Sequence, residues 1–219
     1  MNTTKDSLIV LSGGMDSTAM LYEFQHHIGL AVSFNYGANH NSRELHFAAL
    51  NCQKLGIPHI IIDLPLSQYI ESSLFGGADA VPEGDYGQQN MKSTVVPFRN
   101  GIMLSVACGI AETHHLNKVM IANHSGDHHI YPDCRPEFIS AMSQAMTSGT
   151  YEGVQIFAPY TNISKSEIAR RGAAHGADFA LTYSCYKGGA THCGRCGTCL
   201  ERKQAFLQAH LPDPTEYQE

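Results

Sequence analysis

Six consecutive residues, Ser12-Gly13-Gly14-Met15-Asp16-Ser17, carry groups suited to an anion. Two glycines let the backbone approach an oxygen-rich ligand closely, and successive N–H groups at the start of a helix donate to phosphate oxygens. The Ser12 and Ser17 hydroxyls add donors. The Gly-Lys-Ser/Thr ending of a loop that grips a triphosphate for γ-phosphate transfer is missing. With Asp16 and no lysine, the bend suits a pyrophosphate being released. The bland alternative is a strand-to-helix turn whose glycines serve geometry alone. A bare turn, however, needs none of the donors present here.

A second set is Cys185-x7-Cys193-x2-Cys196-x2-Cys199. Four thiolates are what a tetrahedral structural zinc requires, and each C-x2-C step folds two sulfurs onto one ion through a tight turn. Gly194 and Gly197 ease those turns, and Lys187, Arg195, Arg202 and Lys203 would offset the negative charge. Redox-active pairs and an iron–sulfur cluster use the same residues, but four ligands this close together favour zinc. A closed four-sulfur cage leaves no open position, so the metal is expected to be structural and His192 redundant. Cys52, Cys108 and Cys134 are scattered, and Cys134 reads as a small buried residue. His124, His128 and His129 offer further donors, although loop histidines more often only hydrogen-bond.

Both sets need a scaffold. Apolar runs at Leu8 to Leu11, Leu30 to Phe34, His59 to Leu64, Lys118 to Ala122 and Val154 to Phe157 predict five strands. Helical stretches alternate with them: Asp16 to Gln25, Arg43 to Leu55, Asn100 to His114, Pro136 to Met146, and Ser164 to Arg171 with Ser164 as cap. That alternation predicts an α/β fold, a doubly wound parallel five-stranded sheet. Pro65 to Ser93 is too long for an ordinary connection and is expected to be a lid or unstructured. Beyond Tyr183 the next helical signal is Leu200 to Ala209.

Composition narrows the class. At 219 residues, 43% hydrophobic and 16% charged, the chain is neither disordered nor a coiled coil. A formal charge of -6 disfavours a large basic face for nucleic acid. No apolar run approaches the length of a membrane span. The opening MNTTKDS has no basic, apolar and cleavable leader, so a reducing, cytoplasmic setting is expected and disulfides are the weaker reading.

The bend has the SGGxDS form and resembles the PP-loop ATP pyrophosphatases. Further segments narrow the resemblance: Phe34-Asn35-Tyr36-Gly37, His40 with Arg43-Glu44-Leu45, Val96-Pro97-Phe98-Arg99-Asn100, Tyr131 through Phe138, Lys165, and Ser184-Cys185-Tyr186 with His192 through Arg202. In this order, and with this cysteine spacing, nearly the whole chain resembles the 7-cyano-7-deazaguanine synthase (QueC) family. The resemblance implies an adenine nucleotide alpha hydrolase-like fold. It implies a PP-loop catalytic domain over residues 1–182, and a zinc-binding segment with a C-terminal helix over 183–219. It implies ATP bound along Leu11, Ser12, Gly13, Gly14, Met15, Asp16, Ser17, Thr18, Ala19, Met20 and Leu21, with Mg2+ as counter-ion and structural Zn2+ on the four cysteines.

The implied reaction takes 7-carboxy-7-deazaguanine, ammonia and ATP through acyl and imidate adenylates to the nitrile, in a cytoplasmic homodimer. Ser12, Asp16, Ser17, Lys165 and Arg99 are the catalytic candidates. Tyr36, Arg99, Asp133, Arg135, Glu137 and Phe138 are the substrate-binding candidates, Asp133 having an equal claim as a helix cap ahead of Pro136. Two alternatives differ in outcome. One is a relative that stops at the amide or conjugates the deazaguanine to a protein or nucleic acid; the other is a zinc-ribbon nucleic-acid binder, against which the charge and the intact bend weigh.

Overall fold

The computed structural model describes residues 5–218. Residues 1–4 of the expected 1–182 unit, and residue 219 of the expected 183–219 segment, lie outside the described residues. Five strands, β1 (Ser7–Val10), β2 (Ile28–Asn35), β3 (His59–Asp63), β4 (Lys118–Met120) and β5 (Gln155–Phe157), form one sheet in the order β3-β2-β1-β4-β5. Every pairing is parallel, with Leu8 opposite Leu30 on one side and Val119 on the other.

Strand alternation sorts the apolar residues onto two faces. Leu8, Leu30, Val32, Val119 and Ile121 enter one core, which α4 (Arg99–Thr113) and α5 (Pro136–Ser148) cover with Leu104, Ala107 and Ile139. Ile9, Leu11, Ala31 and Met120 enter the other. There they meet Met20 of α1 (Met15–Glu23), Ala48 of α2 (Asn41–Leu55), Ile168 of α6 (Lys165–Ala174) and Phe206 of α7 (Gly197–Ala209). Near-continuous apolar strands are what a sheet buried on both faces demands. One glycine sets the approach of α6 to α1: a Cβ on Gly172 would lie 2.8 Å from the Cβ of Ala19 and 2.7 Å from the Phe179 ring.

The elements match the expected alternation, with two instructive differences. Helix α7 begins at Gly197 rather than Leu200, because the last cysteine turn runs directly into it with Cys196 as N-cap. The stretch 65–93 is folded, holding short 3-10 turns and the four-residue α3 (Gln88–Met91). Leu74, Val81 and Met91 anchor it by near-complete burial. Three apolar anchors offset the ordering cost that made a lid or unstructured connection the expectation.

From β1 the chain moves through β2 to β3; from β4 it moves the other way to β5. The order therefore reverses between β1 and β4. In open parallel sheets such a reversal opens a crevice beyond the carboxyl ends of the strands, where ligands bind.

Candidate active site

The glycine bend lies in that crevice, two residues past β1. Gly13 has φ +90 and is pressed onto α2: a Cβ there would fall 2.1 Å from the Glu44 carbonyl oxygen, so only glycine fits. The Tyr183 N–H donates to the Gly13 carbonyl at 3.0 Å, fastening the bend from behind. Inside the bend the Ser12 and Ser17 hydroxyls are 2.9 Å apart, and Gly14 N–H donates to Ser12 Oγ at 3.1 Å. Gly14 is the N-cap of α1 without any side-chain cap bond. The first turn of α1 thus faces the crevice with donors and a positive dipole end.

A chain of polar and ionisable side chains runs from the bend to α7. Lys165 Nζ, at the first position of α6, sits 3.0 Å from Asp16 Oδ2 and 2.7 Å from Glu201 Oε2. His124 Nε2 lies 3.7 Å from Glu201 Oε1 and 3.5 Å from Asp127 Oδ1, to which the Tyr86 hydroxyl donates at 3.1 Å. Burial by itself disfavours the Lys165 ammonium, but the carboxylates of Asp16, Glu201 and Asp127 outweigh it and hold the proton well above the usual lysine range. Burial raises Glu201 above the ordinary carboxylate range despite Lys165. Asp16 Oδ1 is buried and has no hydrogen-bond partner. A buried polar atom left unpaired in this way is costly, and here it borders a cavity.

The other end of the same cavity, about 200 Å³ in all, is aromatic. Tyr36, Tyr131 and Tyr186 line it with Arg99 and His40, and Tyr86 stands between the two ends, its ring centre 6.0 Å from Lys165 Nζ. Asn41, opening α2, shapes this end by accepting from Tyr36 N–H at 2.6 Å and donating to the Phe34 carbonyl at 3.0 Å. Arg99 Nη1 donates to the Tyr36 hydroxyl at 3.2 Å, and its guanidinium lies 5.4 Å from the ring centre. Burial pushes the Tyr36 hydroxyl up to about 12 and raises those of Tyr86, Tyr131 and Tyr186, so all four remain neutral donors. Burial also drives His40 down to about 3 and Glu44 up to about 8. A planar heterocycle fits such a wall, with one fixed guanidinium for an acidic substituent.

Beside the cavity, Cys185, Cys193, Cys196 and Cys199 are buried, and their sulfurs all lie within 4.8 Å of one another. Among the described residues this is the group that can hold a metal; His124, His128 and His129 do not assemble into one. Cys193 Sγ and Cys199 Sγ are 3.9 Å apart, close to the edge of about 3.8 Å that Zn–S bonds imply for a tetrahedron. N–H groups of Cys193, Arg195 and Cys196 point at sulfur from 3.2 to 3.4 Å. His192 is turned to another task, its Nε2 accepting from Ser184 N–H at 3.0 Å. Lys187 and Arg195 both pair with Glu83, and an isolated bridge joins Glu83 to Cys196, so the 65–93 stretch clasps the cage.

Of the residues picked from the sequence, Leu11, Ser12, Gly14, Met15, Asp16, Ser17, Tyr36, Arg99 and Lys165 line the cavity. Gly13 lies behind the bend, and Thr18, Ala19, Met20 and Leu21 are buried in α1. Asp133, Arg135, Glu137 and Phe138 form no part of the wall. Asp133 caps α4 rather than the helix that Pro136 opens, accepting from Asn100 N–H at 2.8 Å; the left-handed turn at Phe98 brings that helix start to it. Arg135 donates to the His128 carbonyl, Glu137 is exposed, and Phe138 packs edge-on against Phe98. Cys134 does line the cavity, but burial holds its thiol well above the ordinary range, so it is a poor nucleophile. Glu44, His40, Tyr86, Tyr131, Tyr186 and Glu201 had no role assigned from sequence. The spacing of four that ties His40 and Glu44 to Tyr36 was the available signal for two of them.

The model of the family described as queuosine biosynthesis protein QueC matches residues 6–210. A 7-cyano-7-deazaguanine synthase of Porphyromonas gingivalis is 58% identical over 219 residues, covering 100% of both chains. That of Desulfotalea psychrophila is 49% identical, covering 97% of this chain and 98% of its own. That of Rhizobium meliloti is 46% identical, covering 96% and 91%. Among solved structures, NMN synthetase from Francisella tularensis aligns with a TM-score of 0.50 at 13% identity, over 95% of this chain and 78% of that one, a likeness of fold.

Proposed function

The chain belongs to the queuosine biosynthesis protein QueC family, and from that premise we propose that it makes 7-cyano-7-deazaguanine from 7-carboxy-7-deazaguanine, ammonia and ATP. The observation that carries this reading is one continuous cavity with a phosphate-suited bend at one end and a tyrosine wall bearing Arg99 at the other.

The chemistry follows from what a carboxylate lacks. It is a poor acyl donor because oxide is a poor leaving group; AMP is a far better one. The Ser12 to Ser17 bend and Lys165 hold the β- and γ-phosphates as pyrophosphate departs, concentrating positive charge where negative charge builds. Arg99 orients the acid for attack on the α-phosphate, and the tyrosines hold the heterocycle. Asp133 acts through the α4 start it caps, fixing the backbone that carries Arg99. Ammonia displaces AMP to give the amide. The amide oxygen is adenylated with another ATP, and loss of that AMP leaves the nitrile.

The unpaired Asp16 Oδ1 fits Mg2+, which favours one or two carboxylates alongside phosphate and water and would neutralise the departing pyrophosphate. The four cysteines fit Zn2+, whose contribution there is folding free energy. Residues 1–182 carry the bend, Arg99 and Lys165, and 183–219 the cage and closing helix, which also lend Tyr186 to the cavity wall and Glu201 to Lys165. Homodimeric assembly and a cytoplasmic setting belong to the same proposal; no helix among the described residues is long and apolar enough to cross a membrane.

Mass spectrometry of a reaction containing the acid, ATP and ammonium tests the reading. The expected result is the nitrile with one AMP for each adenylation. Amide alone, or a conjugate alone, overturns it.

A further inference from the structure

One buried carboxyl in the cavity has no task in the steps above. Glu44, in the first turn of α2, lines the cavity and is 9% exposed. Its Oε2 is 3.6 Å from His40 Nε2, too long for a hydrogen bond, and no other hydrogen bond to the carboxyl forms among the described residues. Its Oε1 would be 3.7 Å from a Cβ built on Gly14, so it stands against the glycine bend. On its other side, His40 Nε2 meets the Tyr36 hydroxyl at 3.1 Å, and that hydroxyl meets Arg99. Glu44 therefore occupies the junction where the phosphate end joins the aromatic end. An acyl adenylate spans both ends, so its acyl–phosphate bond lies at this junction.

A carboxyl buried without a partner is retained at a cost, which a bound cation would remove. The reaction proposed above consumes a nitrogen that arrives in neutral water as a cation and attacks only after losing a proton. We propose that Glu44 is the receiving site for ammonium: the cation docks on its carboxylate beside Gly14 and Tyr36, and leaves one proton there to become ammonia. This rests on the amide-forming step of that reading. The ammonia lone pair forms the C–N bond as the acyl C–O bond to AMP breaks. The second surplus proton leaves nitrogen for the departing phosphate, giving the amide, monoprotonated AMP and a protonated Glu44.

The surroundings suit the role. The groups facing Glu44 are the His40 imidazole, held neutral by burial, the Tyr36 hydroxyl and the Arg99 guanidinium. Burial raises Glu44 to about 8 against the lowering effect of Arg99, near the working range of a proton acceptor. Its helix backbone is locked on Gly13, so the carboxyl is held in place.

The test uses the full chain and its Glu44→Gln and Glu44→Asp variants, with two readouts. Pyrophosphate–ATP exchange in the presence of the acid and absence of ammonium reports adenylation. Product formation with ammonium or with hydroxylamine, which is largely uncharged at neutral pH, reports the nitrogen step. Glu44→Gln is expected to keep exchange and hydroxamate formation while kcat/KM for ammonium falls by about 10²-fold or more. Glu44→Asp, keeping a carboxylate on a shorter arm, is expected to recover part of that loss. Unchanged ammonium use in Glu44→Gln overturns the proposal, as does an equal fall of exchange and of both nitrogen donors, or Glu44→Asp no better than Glu44→Gln. Absence of exchange in the unsubstituted chain would overturn the parent reading, and is seen before any variant is made.

Discussion

The glycine bend and the cysteine cage are both short, glycine-bearing and dense in backbone N–H groups, yet they treat those groups in opposite ways. In the cage, N–H groups of Cys193, Arg195 and Cys196 turn inward to sulfur, all four side chains are buried, and Glu83 closes the outside. The bend is strapped from behind by Tyr183 on Gly13, and on the cavity side Lys165 meets one oxygen of Asp16. Its helix start has no side-chain cap, Asp16 Oδ1 is unpaired, and the adjoining Glu44 carboxyl has no hydrogen bond. A region that only has to hold itself together satisfies its polar atoms internally. A region that acts on a ligand leaves them waiting, at a cost in stability.

The contrast can be broken at either region. The largest effect is expected at the cage: Cys196→Ser should lose the metal and destabilise the chain by more than the about 5 kcal/mol that single substitutions rarely exceed. Metal analysis with a thermal melt checks this, and full metal content with an unchanged melt would remove the cage from the comparison. At the bend, Asp16→Ala should lower AMP release by about 10²- to 10³-fold. Its melting point should move by no more than about 4 °C, the equivalent of about 1 kcal/mol at this length, because an ion pair is lost but an unpaired buried oxygen goes with it. Near-normal AMP release would mean that the bend is only a turn.

Glu201→Gln sharpens the comparison by cutting the link between the two regions. It removes one of the two carboxylates touching Lys165 while leaving the four sulfurs in place. AMP release should fall by about tenfold, or about 1.4 kcal/mol, with metal content retained. The remaining expectation concerns pH. Glu44 titrates near 8 when folded and at about 4.3 when unfolded, so between those values the folded chain binds more protons and stability falls as pH rises. In melts across that range, Glu44→Gln should match the unsubstituted chain near the acid end and melt higher at pH above 8. Parallel curves would show that the carboxyl is not isolated.

Much of the scaffold was legible because a doubly buried parallel sheet writes itself as apolar runs: Leu8 to Leu11 and Leu30 to Phe34 leave little else to choose. The bend and the cage were legible because their ligands lie close in sequence. The aromatic wall was not. Tyr86, Tyr131 and Tyr186 come from three separate stretches, and Tyr86 reaches the cavity because residues 65–93 are folded onto the rest of the chain. Asp133 shows the complementary failure, since its partner Asn100 lies 33 positions away and no local pattern couples a cap to a distant helix. Glu201 stands two positions after the last cysteine, and nothing in that spacing announces that its side chain meets Lys165, 36 positions away.

Arg202, with 0% exposure, gives the tail of the chain an unexpected say in events at the other end. Its guanidinium donates to the Phe179 carbonyl, Thr182 Oγ1 and Ser184 Oγ, and meets Asp213 at 3.2 Å. The segment it grips contains Tyr183, the strap on Gly13. Trimming the last few residues, or fusing a bulky tag there, would loosen Asp213 and with it the foundation of the glycine bend, so purification handles are better placed elsewhere.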